Sequence, residues 1–253
     1  MDKKQLSIDI VGLAGAYSYA LDCIEAELVN ITNKHGKLWE IVPRKKQMFD
    51  WNTCKNIADF FANIVDYKSP FTSRHSIGVA EKAAQFAKYI EYDVSDIEKM
   101  YLAGALHDIG KMLVGNEILE KPDKLTDEEF AIMKTHPAEG AKILENTIQG
   151  MESDAYYQIA HDMALYHHEK YDGSGYPCGI RGEEIPLSAR IMAVADVYDA
   201  LRSKRHYKDG FSKEKAMAIM KESRGTHFDA EIDDLFLEHI DEMEAVLDTG
   251  TDL

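Results

Sequence analysis

Apolar residues recur at intervals of three and four along almost the whole chain, the period of an amphipathic helix, and the alternating β-branched runs of strands are scarce. The pattern predicts an apolar-rich helical stretch over 6–30, then a short connection punctuated by Gly36 and Pro43. A helix over 52–66 is expected to turn Ile57, Phe60, Phe61, Ile64 and Val65 to one face. Ser69-Pro70 stops that helix, and Thr72 or Ser73 is placed to cap the next one. There His75, Val79, Ala83, Phe86 and Ile90 form a core-facing stripe. Another helix starts at Ser95 or Asp96 and runs toward His107. Thr126-Asp127-Glu128-Glu129 has the form of a capping box and opens a helix carrying Phe130, Ile132 and Met133. Pro137 suits the first turn of a helix with Ala141, Ile143 and Leu144. Helices over 155–168, 187–203, 212–223 and 230–247 complete the set, with a Gly- and Pro-rich loop over 171–186. The fold class that follows is all-α. Residues 1–50 read as an appended N-terminal helical region and 51–253 as one continuous helical domain.

Composition narrows the partners. The 253 residues hold 29 Lys and Arg against 45 Asp and Glu, a net charge of −16, so binding to polymeric nucleic acid or an anionic lipid surface is disfavoured. One local exception is the basic island Arg202, Lys204, Arg205 and Lys208. Three widely spaced cysteines suggest neither a disulfide framework nor a zinc knuckle, which fits a reducing cytoplasm. The apolar run 10–21 is bounded by Asp9 and Asp22 and is too short to span a bilayer, so no membrane segment is expected and the run reads as a buried helix.

The candidate chemistry is concentrated in histidines and aspartates that interrupt apolar helices. His107-Asp108 ends the apolar run 101–106, and a carboxylate in such a place needs a partner, for which a metal ion is well suited. His167-His168-Glu169 is a second cluster; adjacent imidazoles diverge by about 100° on a helix, so they serve one ion only at a helix end, and two surface histidines are the plainer reading of the pair alone. Asp196 lies within the otherwise apolar 191–201, with Asp199 nearly one turn on. Together His75, His107, Asp108, His136, His167, His168 and Asp196 supply imidazole and carboxylate without thiolate, a donor set suited to Fe, Mn, Co or Zn. Seven ligands are too many for one catalytic ion and suit two with a bridging carboxylate, an arrangement widely used for phosphoester hydrolysis.

The segments Pro70-Phe71-Thr72-Ser73-Arg74-His75-Ser76, His107-Asp108-Ile109-Gly110-Lys111, Thr135-His136-Pro137, the run 167–177 ending Gly175-Tyr176-Pro177, the run 191–208, and Thr226-His227-Phe228-Asp229 together resemble the HD-GYP family, a branch of the HD metal-dependent phosphohydrolases. The resemblance spans roughly 55–245 and leaves 1–50 uncovered. It implies an HD-domain helical bundle and hydrolysis of cyclic di-GMP to linear pGpG, with further cleavage to GMP left open. It implies two divalent ions, iron or manganese. One would be held by His75, His107, Asp108 and Asp196, the other by Asp108, His136, His167 and His168, with Asp108 bridging. Asp108, Lys111 and Asp199 are then the catalytic candidates, and Lys111, Arg205, Lys208 and Tyr176 the substrate-binding ones. Glu169 and Asp199 are expected to orient Lys111 or the ligating histidines.

Some relatives hold a third ion through a Glu four residues before the first histidine; here that position is Phe71, so two ions are expected. Two other readings stay open. The substrate could be another cyclic dinucleotide, or the domain could bind cyclic di-GMP without turnover, although a degenerate domain usually lacks ligands that are all present here. The N-terminal helices and the Gly175-Tyr176-Pro177 loop are the candidate surfaces for a homodimer or a signalling-protein partner.

Overall fold

The computed structural model describes residues 50–68, 74–147, 155–203 and 210–248. The expected N-terminal helical region, the caps Thr72 and Ser73, Phe71, Arg205 and Lys208 lie outside the described residues. Among the described residues the chain is helical, with one isolated bridge between Arg224 and Phe228 and no β-sheet.

In order, the helices are α1 (Trp51–Lys68), α2 (His75–Tyr89), α3 (Val94–Ala105), α4 (Asn116–Leu119), α5 (Asp127–Met133), α6 (His136–Thr147), α7 (Ala155–Tyr166), α8 (Leu187–Arg202), α9 (Lys213–Glu222), α10 (Ala230–Glu238) and α11 (Ile240–Asp248). Short 3₁₀ turns occupy Ile109–Leu113 and Gly182–Glu184. Helix α2 is the centre of the bundle and packs against α1, α3, α8 and α11. The predicted stripe on it is real: Val79, Ala83 and Phe86 are fully buried, in one core with Met163, Met192, Tyr198, Phe228 and Phe236.

Three expectations need correction. In α1 the buried residues Ala58 and Ala62 pack against Ala80, Ala84, Tyr101 and Ala105 of α2 and α3; of the expected face Val65 is buried, while Ile57, Phe60 and Phe61 are more than 40% exposed. Small side chains let the backbones approach, and this close contact overrides the larger apolar arc. Helix α2 has Arg74 in the left-handed conformation (φ 64°) as its N-cap, without a side-chain cap; Asp66 at the end of α1 instead accepts bonds from Ser76 N (3.0 Å) and Oγ (2.7 Å). The span 230–247 is broken at His239 into α10 and α11. Elsewhere the local signals hold. Thr126 Oγ1 accepts from Glu129 N at 3.2 Å while Glu129 accepts from Thr126 N at 2.7 Å, and Ser212 caps α9 through Lys215 N.

Candidate metal centre

Four helix boundaries and one helix interior deliver the seven predicted ligands to one place. His75 opens α2, His107 and Asp108 form the turn after α3, His136 opens α6, His167 and His168 follow α7, and Asp196 sits within α8. A helix end frees neighbouring side chains from the 100° divergence of the helix interior, which lets His107-Asp108 and His167-His168 each point two donors inward. His75, His107, Asp108, His136 and His167 are all buried, and Asp196 nearly so. Gly110 permits the closest approach: a Cβ there would lie 2.0 Å from His136 O and 2.5 Å from Gly140 N. Without it the turn that carries Asp108 could not press against the start of α6.

The donors fall into two groups, His75 with His107 and Asp108, and His136 with His167 and His168, the donor atoms of each group lying within 4.8 Å of one another. Asp108 touches both. Its Oδ2 is 3.3 Å from His107 Nε2, and its Oδ1 is 3.2 Å from His136 Nε2 and 3.7 Å from His167 Nε2. Asp196 Oδ1 lies 3.0 Å from His75 Nε2 and so belongs with the first group.

The imidazoles are pre-set as ligands. His107 Nδ1 donates to Gly104 O (2.8 Å), His136 Nδ1 to Met133 O (2.8 Å), and His167 Nδ1 to Met163 O (2.9 Å) and Ala164 O (3.0 Å). A proton on Nδ1 leaves the Nε2 lone pair facing inward, as a metal requires. His75 Nδ1 is paired likewise with Asp199 Oδ2 at 2.6 Å.

The electrostatics describe a site of compressed, opposed charges. Burial, reinforced by the neighbouring imidazoles, holds His167 well below its ordinary range and His168 at about 3. Burial opposes the proton on His75, but bonds to Asp196 and Asp199 outweigh it and hold the ring at about 10, so a cation at His75 Nε2 would take the place of a proton. Burial also opposes ionisation of Asp108, and Lys111 and His107 override it to keep the carboxylate charged. His107 Nε2 and Asp108 Oδ1 are completely buried and have no hydrogen-bond partner, although both face neighbouring donors or acceptors at short range. Orphaned atoms of this kind are costly unless something accepts their lone pairs. Divalent cations fit the donor set on that ground.

The remaining candidates are dispersed around the cluster. Lys111 Nζ contacts Asp108 Oδ2 directly. Asp199 is bonded to His75 rather than Lys111; it is buried behind that ring and also bonds Lys82 at 2.7 Å and Ser203 Oγ at 3.1 Å, a place from which it can position His75. Glu169 does not orient a histidine. It is 1% exposed and accepts from Cys178 N (2.6 Å) and Gly179 N (3.0 Å), pinning the 171–181 loop. Tyr176 sits on the other side of that loop, its N bonded to His168 O at 3.2 Å and its ring 4.8 Å from the His168 ring. The Thr226-His227 segment buttresses the loop through Tyr171 N to His227 O (3.0 Å) and Asp172 N to Thr226 O (2.9 Å). Sequence reasoning missed Lys82 and Asp66. The signal for Lys82 was there: it stands seven residues after His75, in a helix whose buried residues from Val79 onward are otherwise apolar.

The sequence pattern of the family described as HD domain matches residues 59–232. A cyclic di-GMP phosphodiesterase of Vibrio cholerae is 46% identical over 167 residues, covering 66% of this chain and 34% of that protein. A 3′3′-cGAMP-specific phosphodiesterase of the same organism is 38% identical over 194 residues, covering 77% of this chain and 36% of that protein. The chain thus spans about a third of the length of these curated relatives. Among solved structures, a cyclic GMP-AMP specific phosphodiesterase of Vibrio cholerae superposes with a TM-score of 0.57 at 17% identity, covering 77% of this chain and 50% of that one. A Bdellovibrio bacteriovorus protein of the HD-GYP type gives 0.53 at 21% identity, with 76% and 63% covered. At these identities the two structures establish likeness of fold alone.

Proposed function

Because the chain belongs to the HD-domain family and its motifs resemble the HD-GYP branch, we propose that it is a metal-dependent phosphodiesterase that opens the ring of a bacterial cyclic dinucleotide. The observation that carries this reading is the position of Asp108, with one carboxylate oxygen turned to each of two histidine groups. Two divalent ions, iron or manganese, held by His75, His107, Asp108 and Asp196 and by Asp108, His136, His167 and His168, would stabilise charge on the phosphoryl oxygens and activate water.

The chain's own residues do the rest. The carbonyls behind His107, His136 and His167 fix the tautomer of each ligand, and Asp199 does so for His75. Lys111, beside Asp108, offers an ammonium to a non-bridging phosphoryl oxygen, where charge builds during attack. Tyr176 keeps its phenolic proton, since burial and the Asp196 and Asp108 charges push its ionisation upward, and so remains a hydrogen-bond donor at the rim of the site. Arg205 and Lys208 are assigned to the substrate phosphates on the strength of the sequence. The linear dinucleotide is the first product. A soluble messenger as substrate agrees with the cytoplasmic setting expected from the dispersed cysteines, and no helix among the described residues is long and apolar enough to cross a membrane.

Relatives named for cyclic di-GMP and for 3′3′-cGAMP match to similar extents, which supports a guanine-containing cyclic dinucleotide and favours neither of the two. The deciding experiment uses the chain purified anaerobically. Bound iron and manganese are quantified, and turnover of both dinucleotides is followed by chromatography. Two ions per chain and accumulation of a linear dinucleotide are expected. Tight binding of cyclic di-GMP without turnover by the two-metal form would show a sensor instead.

A further inference from the structure

One imidazole of the cluster is backed differently from its neighbours. His107, His136 and His167 lean through Nδ1 on neutral backbone carbonyls, whereas His75 leans on a carboxylate, Asp199 Oδ2 at 2.6 Å. A carboxylate behind an imidazole draws on the ring proton and makes the opposite nitrogen a more basic, tighter metal ligand. Left to itself, the pair would make His75 the strongest imidazole donor of the four. Asp199 is not left to itself. Its Oδ1 takes Lys82 Nζ at 2.7 Å, and Ser203 Oγ donates to its Oδ2 at 3.1 Å. Lys82 has no exposed surface and also bonds Gly78 O at 3.3 Å.

The arrangement comes from two helices that already supply ligands. Helix α2 carries His75 and, seven residues on, Lys82; α8 carries Asp196 and, three residues on, Asp199. A buried ammonium in this place opposes a cation at His75 Nε2 in two ways. It competes with the His75 ring for the negative charge of Asp199, and it repels the ion through an interior where water and salt screen weakly. We propose that Lys82 is a positioning residue of the first ion: by neutralising Asp199 from behind, it brings His75 down to the strength of a carbonyl-backed ligand and keeps that ion less tightly held than the bare His75–Asp199 pair would hold it. This rests on the two-ion reading of the centre and needs no particular substrate. The bonds behind His136 and His167 run to carbonyls, so the second ion should be indifferent to Lys82. A lysine that serves only as a structural counter-ion gives the opposite expectation, because breaking the pair from either side would then loosen His75 and weaken the ion.

The test titrates the metal-freed full chain and its variants with Mn(II), following the free ion by electron paramagnetic resonance and the fold by circular dichroism. The variants are Lys82→Met, Lys82→Gln and Asp199→Asn. Gln keeps a donor for Asp199 without the charge, and it carries the comparison if the Met variant does not fold. Asp196→Asn, a change in the first group, marks which of the two ions moves. The Kd of the first Mn(II) should fall at least about tenfold in each folded Lys82 variant and rise at least about tenfold in Asp199→Asn, where the ammonium stands uncompensated; the second should stay within about threefold. First-ion binding that is unchanged or weaker in a folded Lys82 variant, or an equal tightening of both ions, would overturn the proposal. So would failure of both Lys82 variants to fold without metal, which would make the lysine a requirement of packing. A parent that binds no Mn(II) would remove the two-ion reading itself, whereas a parent that binds two ions with no tightening in the variants removes only the role of Lys82.

Discussion

Lys82 Nζ lies 2.7 Å from Asp199 Oδ1, and the lysine has no exposed surface at all. The other Asp199 oxygen holds His75 Nδ1, so a buried cation two hydrogen bonds behind the candidate metal centre sets the state of a candidate ligand. Removing one partner of a buried pair leaves an uncompensated charge and costs about 3 kcal/mol or more. Lys82→Met should therefore lower the melting temperature by roughly 6–12 °C, at 2–4 °C per kcal/mol for a chain of this size. The double variant with Asp199→Asn should cost less than the sum of the two single changes, because no orphaned charge remains. Melting curves of the four proteins measure this directly, and strict additivity would mean that the pair does not interact.

Asp108 and Asp196 differ in a way that elemental analysis can read. Asp108 faces both histidine groups, whereas the ion pair of Asp196 is with His75 of the first group. Asp108→Asn is expected to strip both ions and abolish turnover. Asp196→Asn should weaken the first ion by more than about 100-fold and leave the second bound. Equal metal content in the two variants would contradict a bridging Asp108.

Most of the site was legible because a buried carboxylate or imidazole in an apolar helix stands out, and His107, Asp108 and Asp196 do so. What escaped was long-range partnering. Nothing local in Asp66 announces that it will serve the N-terminus of α2; Asp199 does hold a histidine, as expected, but its second partner Lys82 lies 117 residues away, and Glu169, expected to orient Lys111 or a histidine, takes the Cys178 and Gly179 amides instead. The inward face of α1 was misread for a different reason. Periodicity marks where apolar residues recur, but Ala58 and Ala62 decide the contact because they permit close packing, which a scale of side-chain hydrophobicity undervalues.

Glu169 explains how the loop beside His168 is held. Its carboxylate takes both the Cys178 and Gly179 amides, and Gly175 lets the loop return so closely that a Cβ would sit 2.3 Å from Lys170 N. Charge-assisted bonds of this kind contribute about 1.5–3 kcal/mol each. Glu169→Ala should free both amides, so hydrogen exchange at Cys178 and Gly179 should accelerate about 10-fold or more. Since Tyr176 rides on this loop, KM should rise in the same variant. Unchanged protection of those two amides would show that the loop is held by other bonds.

Asp233 supplies a pH dependence unrelated to the metals. It sits in the first turns of α10 with no exposed surface, and neither carboxylate oxygen has a hydrogen-bond partner. Burial, with Asp234 alongside, pushes its carboxyl up to about 6, against the opposing pull of Arg224 and Lys221. The folded value exceeds the ordinary carboxylate value of about 3.9, so between those limits the fold binds more protons than the unfolded chain. The stability linked to the protonated form is fully present below about pH 4 and is lost as pH rises through 6. Above that the ionised, unpartnered carboxylate weighs against folding. Asp233→Asn carries no charge at any pH, so it should melt above the parent by about 2–4 °C at pH 7.5. That advantage should decline between pH 6 and about 4 and vanish below. Melting curves of both proteins across this range check the sign, and an advantage independent of pH would place the origin of the stabilisation somewhere other than the Asp233 proton.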